Sequence, residues 1–276
     1  MIGFWNWSLA MHIEEIIQKI TPANKNCAVM AQARFDALIK PVGSLAKLEE
    51  MTARYAGIKE FYQKDKMVYP KRAILVWCTN DEVEPAQKIL QGKYPVNVLA
   101  AETGAKAIPL VVTAIKEAEA MEEGATLVQE IIHENGLEAV GFGCLAPKDN
   151  ALVLAAMCGG ILQAASMKAV IMLDGVATCT AAFKAAVLAP TVLDYCFAGH
   201  LSAEEGAEKA LEAMGLKASL RLNIPDGSGE GAALCFTLLD AGIRAFKEME
   251  TFEEAGVHVE MKEFSLAEQK KKEQVK

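Results

Sequence analysis

Four short apolar runs constrain this chain more than anything else in it. "AILVWC" (73–78), "AIPLVV" (107–112), "EAVGFG" (138–143) and "AVIMLD" (169–174) are each separated from the next by a stretch of helical periodicity. Between them lie "IKEAEAMEEGATLVQEIIHE" and "NALVLAAMCGGILQAASM". Strands that alternate with helices need crossover connections, and right-handed crossovers build a parallel sheet covered on both faces. The spacing therefore predicts an α/β fold with a doubly wound, mostly parallel sheet. A smaller helical part precedes it: "HIEEIIQKI", "CAVMAQARFDALIK" and "GSLAKLEEMTARYAGIKEFY" carry apolar residues at helical spacing. Ser44 is expected as the N-cap of the third, with Leu45, Leu48, Met51, Tyr55 and Ile58 on one face. The expected division is a helical part over 1–66, an α/β part over 67–256 and a charged tail over 257–276.

Such a sheet needs a core of small aliphatic side chains, and the composition supplies one: 52% hydrophobic but only 7% aromatic. A net charge of −8 offers no electrostatic footprint for nucleic acid or an anionic membrane. The seven cysteines are scattered without a CxxC pair, which predicts reduced, buried thiols in a cytoplasmic protein and no metal site. The opening "MIGFWNWSLAMHIEEIIQ" has an apolar run of only about ten residues, too short to span a bilayer. Its aromatics, Phe4, Trp5 and Trp7, are candidates for a docking surface, since interfaces are enriched in Trp and Phe.

Ligands of open α/β sheets sit beyond the carboxyl ends of the strands. That places interest on the turns after Cys78, Gly143 and Leu173, and on a glycine-rich stretch, "IPDGSGEGAALCF" (224–236). Ser228 and Gly229 there could present polar groups to an anion at a helix start. The alternative is a tight turn into an alanine-rich helix. Glu230 could act as a base if desolvated, or serve as a first-turn carboxylate facing the helix dipole. Asp174 ends a strand in "IMLDG" and reads either as a functional carboxylate or as the cap of the helix that follows. Lys148 lies in the turn after the third strand. His200 precedes Ser202 and Glu205, which are spaced as a capping box, and the capping role is assigned to that segment. His12, His133 and His258 have no partner at ligand spacing.

Taken together, several stretches resemble the CobT family, the nicotinate-nucleotide–dimethylbenzimidazole phosphoribosyltransferases. They are "LIKPVGSLAKLEEMTARYAGI", "AILVWCTND", "VNVLAAETGAKAIPLVV", "VIMLDGVATCTAAFKAAVLAP" and "GHLSAEEGAEKALEAMGL", in order from about residue 34 to 256. The resemblance implies transfer of 5-phosphoribose from nicotinate mononucleotide to a lower-ligand base, with no cofactor. It also implies a dimer in which N-terminal helices pack across the interface. The departures fall on the functional loops. Where the family reads Gly-Glu-Gly-Ser-Gly, with the Glu as base, this chain has Ser228 at the Glu position and Glu230 at the Ser position. Cys144 stands where the family has a Glu, and Pro147, Lys148 and Asp149 replace an Asn-Thr-Thr run. Thr79, Asn80 and Asp81 replace an Asp-His-Gly. A segment rich in phosphate contacts is missing between "LVLAAM" and "CGGIL". Within the family the chain is most similar to ArsB, the second subunit of the pair ArsA and ArsB, which attach phenol and p-cresol. The expectation is a catalytically silent subunit in a heterodimer with an ArsA-like catalytic chain. An autonomous enzyme using Glu230, with Asp174 or Lys148 in support, is the second reading. A non-enzymatic relative that binds a base or nucleotide is the third.

Overall fold

The computed structural model describes residues 13–257. Phe4, Trp5, Trp7, His12, His258 and the charged tail lie outside the described residues. Three helices come first: α1 (Ile13–Lys19), α2 (Lys25–Ala37) and α3 (Lys47–Lys59). Strand β1 (Arg72–Cys78) follows, then α4 (Val83–Leu90), α5 (Pro95–Ala101), β2 (Lys106–Val111), α6 (Glu117–Asn135), β3 (Ala139–Cys144) and α7 (Ala151–Ser166). The chain continues through β4 (Val170–Asp174), α8 (Gly175–Leu188), a 3₁₀ turn over Pro190–Asp194, β5 (Cys196–His200), α9 (Ala207–Ala213) and α10 (Glu230–Glu248).

The strands form one parallel sheet in the order β2-β1-β3-β4-β5. The four predicted strands are all present. The long apolar run of β1 suits a central strand, and each of its seven residues is buried. Pro109 sits in β2, at the edge of the sheet, where a missing N–H costs no ladder bond. The fifth strand, "CFAGH", was not foreseen. Its outer edge is covered by a strap of residues 219–224: Ser219 N–H donates to Ala198 O at 3.1 Å, Leu201 N–H to Leu220 O at 2.8 Å, and Ala203 N–H to Ile224 O at 3.0 Å. An uncovered edge invites pairing with another chain, and the strap removes that hazard.

Phe35 on α2 meets Phe246 on α10 edge-to-face at 5.3 Å between ring centroids. The Arg54 guanidinium on α3 lies 4.1 Å over the Phe197 ring and donates to the carbonyl of Cys196 at 2.7 Å. Burial pulls its pKa below the usual arginine value, partly offset by nearby Cys196 and carboxylates. Phe35, Met51 and Tyr55 thus join the same buried cluster as the sheet. Helix α7 runs without a break through Met157 and Cys158, where the resemblance places a missing excursion. It packs on α6 through small residues, with Gly159 against Met121 and Gly124 against Ala156.

Two expected caps are corrected. Ser44 is not the N-cap of α3: the helix begins at Lys47 after Ala46, whose φ is +42°. Glu49 reaches back instead to accept the N–H of Leu45 at 2.9 Å. Nor do Ser202 and Glu205 form a capping box, because α9 begins only at Ala207 after Gly206. Ser202 turns its hydroxyl to Glu204 Oε2 at 3.0 Å.

Candidate active site at the carboxyl edge of the sheet

The strand order reverses between β1 and β3, and a pocket of about 210 Å³ opens beside that switch point, beyond the carboxyl ends of β3 and β4. Three segments wall it. The turn after β3 supplies Cys144 and Lys148, the first turn of α8 supplies Val176, and the stretch before α10 supplies Asp226 and Ser228. Tyr94 and Glu204 complete the rim. The charged side chains around it are Lys148, Glu204 and Asp226, so carboxylates outnumber cations. An anionic ligand gains little from such a rim.

The glycine stretch is pressed against the sheet. Gly229 takes φ +110°, a region open to glycine and closed to most side chains, and this bend starts α10. A Cβ on Gly143 would collide with the backbone of Ser228 and Gly229. Cys144 N–H donates to Gly227 O at 2.7 Å, which pins the loop to the end of β3.

Asp174 occupies the place where an anion would sit. Its Oδ2 accepts the N–H groups of Gly229 at 3.1 Å and Gly231 at 2.8 Å. The side chain does not cap its own helix, α8, as one reading of the Asp-Gly turn had it. That task falls to Glu204, whose Oε2 accepts Val176 N–H at 2.9 Å. Other turns at this edge are wired the same way. Glu82 Oε2 accepts the Thr79 N–H at 2.7 Å and its hydroxyl at 2.8 Å, and Glu123 accepts the N–H groups of Thr113 and Ala114. Carboxylates from the chain itself therefore satisfy donors that a phosphate would otherwise seek.

Ser228 lines the pocket and Glu230 lies behind it. The serine hydroxyl donates to the Glu230 carboxylate, 2.8 Å from Oε2 and 3.0 Å from Oε1. Burial pushes the Glu230 carboxyl above the usual carboxylate range, and the hydrogen bond from Ser228 offsets only part of that. The Cys144 thiol is pushed up to about 12 by burial, so it is no nucleophile near neutrality. All seven cysteines are free, and six are buried. Among the described residues no three His, Cys, Asp or Glu side chains gather in a way that could hold a metal ion.

Of the sequence-predicted residues, the structure brings Ser228, Gly229, Glu230 and Asp174 together, with Lys148 lining the same pocket as Ser228. Sequence reasoning missed Tyr94, Glu204 and His200 as parts of this edge. The signal for His200 was its place at the end of an apolar pentapeptide, read there as the approach to a helix. Both its side chain and that of Asp174 are fully buried.

The chain matches a family model described as phosphoribosyltransferase, DBI_PRT, over residues 20–119 and 148–257. The unmatched interval holds all but the first three residues of α6, and β3 with Cys144. The nicotinate-nucleotide–dimethylbenzimidazole phosphoribosyltransferase of Desulforamulus reducens is 26% identical over 348 aligned positions, covering 89% of this chain and 98% of the relative. An alignment that long against a 276-residue chain means that the relative carries many residues with no counterpart here. The enzyme of the same name from Chlorobium chlorochromatii is 40% identical over 119 residues, 43% of this chain and 33% of its own. Among solved structures, that of the Thermus thermophilus enzyme superposes with a TM-score of 0.74 at 21% identity, covering 86% of this chain and 99% of that one, which shows the shared fold. No helix among the described residues is long and apolar enough to cross a membrane. With the sheet, the switch-point pocket and a family match over most of its length in agreement, the chain belongs to the CobT-type phosphoribosyltransferase family.

Proposed function

We propose that this chain is the supporting, catalytically silent subunit of a heterodimeric phosphoribosyltransferase. The complex would transfer 5-phosphoribose from nicotinate mononucleotide to a lower-ligand base such as phenol, p-cresol or dimethylbenzimidazole, with an ArsA-like chain doing the chemistry. One observation carries the reading: the pocket wall offers the Ser228 hydroxyl, while the Glu230 carboxylate is 6% exposed and held behind it. A general base must come within hydrogen-bond reach of the proton that it takes. The rim, poor in cations, and the turn donors already occupied by Asp174 and Glu204 support the same reading. The role left to the chain is scaffold and dimer surface, with its N-terminal segment, Phe4, Trp5 and Trp7 included, as the candidate contact.

The contact between Ser228 and Glu230 also favours a second reading. A carboxylate with a raised pKa could act through the serine hydroxyl, making the chain an enzyme in its own right. One paired experiment separates the two. The chain is purified alone and co-expressed with a full-length family member from the same genome. Both preparations are assayed for transfer from nicotinate mononucleotide to phenol and to dimethylbenzimidazole. The silent-subunit reading expects turnover only from the stoichiometric complex, with Glu230→Gln leaving its rate intact. Turnover by the lone chain, abolished in Glu230→Gln, establishes the second reading instead.

A further inference from the structure

One buried side chain beside the pocket is used by neither reading. His200 ends β5 with its ring fully buried, and its Nε2 accepts the N–H of Leu222 in the strap at 3.0 Å. A ring nitrogen that accepts carries no proton, so in the neutral ring the hydrogen sits on Nδ1. That Nδ1 faces Asp174 Oδ1 at 3.7 Å, beyond hydrogen-bond range. Among the described residues neither atom has a hydrogen-bond partner. The other oxygen of the same carboxylate holds Gly229 and Gly231. The fit is close: a Cβ on Gly231 would collide with both Asp174 Oδ1 and His200 Cβ.

The ring thus stands between two pieces of the pocket wall, the strap that leads through Asp226 to Ser228 and the first turn of α10. We infer that His200 is the positioning residue of this wall, holding the strap through Leu222 and backing Asp174 under the glycine loop. Without an acceptor at this position the Leu222 N–H loses its partner and the strap is freed. Without the ring behind it, the Asp174 carboxylate is free to turn away from the Gly229 and Gly231 amides that it clamps.

The charged and titratable groups around the ring leave Asp174 as its immediate partner. From α10, Glu230 and Cys235 bear on Asp174, as does Cys179 from α8. On the strap, Arg221 is engaged with Glu208 at 3.1 Å. Asp194, in the 3₁₀ turn before β5, accepts the N–H of Ala23 at the opposite end of that strand.

Amide hydrogen exchange of Leu222, Gly229 and Gly231 in the full chain, corrected for intrinsic rates, tests the inference without reading transferase activity. Its failure is therefore distinct from failure of the functional reading. His200→Leu is expected to lower the protection of the three amides together, by about tenfold. His200→Gln keeps an acceptor oxygen for Leu222 and should restore protection of that amide toward the wild-type level. If His200→Leu fails to fold, His200→Asn, whose side chain is shorter, takes its place. Wild-type protection of all three amides in His200→Leu, or a loss of Leu222 protection in His200→Gln as deep as in His200→Leu, overturns the inference.

Discussion

Ser228 Oγ lies 2.8 Å from Glu230 Oε2, and it is the serine, not the glutamate, that lines the pocket. The two residues are separated in sequence only by Gly229, whose φ of +110° turns the chain into α10 between them. The carboxylate therefore belongs to the first turn of a buried helix, and the hydroxyl belongs to the loop. Having donated its one proton to Glu230, the hydroxyl offers a ligand only lone pairs, and it is far too weak a base to take a proton unaided.

Exchanging the pair, as Ser228→Glu with Glu230→Ser, brings the carboxylate to the pocket. The lone chain should still fail to turn over, because the substitutions in the turn after β3 and the acidic rim remain. Steady-state assay with nicotinate mononucleotide and phenol checks this. Turnover by the swapped chain would mean that the position of one carboxylate had silenced it.

Asp174 has a different duty, and its loss should be felt in stability. Asp174→Ala strands the buried N–H groups of Gly229 and Gly231, at a cost of about 3 kcal/mol. Asp174→Asn keeps one acceptor oxygen and should cost less. Urea unfolding of the two variants beside the wild type gives the ranking. Equal stabilities would show that these amides find another acceptor.

The central sheet could be read from sequence because β1, β3 and β4 are almost wholly buried and are apolar apart from Arg72 and Asp174 at two strand ends. β5 hid because "CFAGH" is short and ends in a histidine whose neighbours lie elsewhere in the chain: Asp174 beside it on β4 and the Leu222 N–H bonded to it from the strap. Local rules misplaced the caps for a similar reason. Ser202 and Glu205 have capping-box spacing, but Glu204 between them is drawn across space to the N-terminus of α8. The candidate site was half legible. Ser228, Gly229, Glu230 and Asp174 were named from motif position, yet only the fold shows that Asp174 serves α10 and not α8.

Glu254 is expected to tie the last turn of the described chain to α2 in a pH-dependent way. It receives Arg34 at 3.2 Å and the N–H of Thr251 at 2.8 Å, and these hold its carboxyl well below the usual range, at about 2. A depressed folded-state pKa stabilises above the unfolded value and is lost as pH falls through the folded one. Glu254→Gln should therefore lower the melting temperature by a few degrees at neutral pH, in keeping with an exposed pair. The gap to the wild type should close progressively as pH falls from the ordinary glutamate range toward about 2. A gap that is constant over that range would assign the loss to packing.

Glu230 should behave in the opposite sense, and the sign separates a buried liability from a working base. Burial raises its carboxyl pKa, so the folded state holds the proton more tightly than the unfolded chain does. That preference stabilises the fold below the ordinary glutamate value and is lost as pH rises through the elevated one. Above that window, the fold must keep an ionised carboxylate in a place that disfavours it. Glu230→Gln stays neutral throughout and preserves a side-chain oxygen for the Ser228 hydroxyl. Its melting temperature relative to the wild type should be higher at pH 8 than at pH 4, as thermal scans at both values would read. The reverse trend would mean that Glu230 is stabilised as an anion. Ser228 and the helix start would then be its counter-field, and the autonomous reading of this pocket would gain ground.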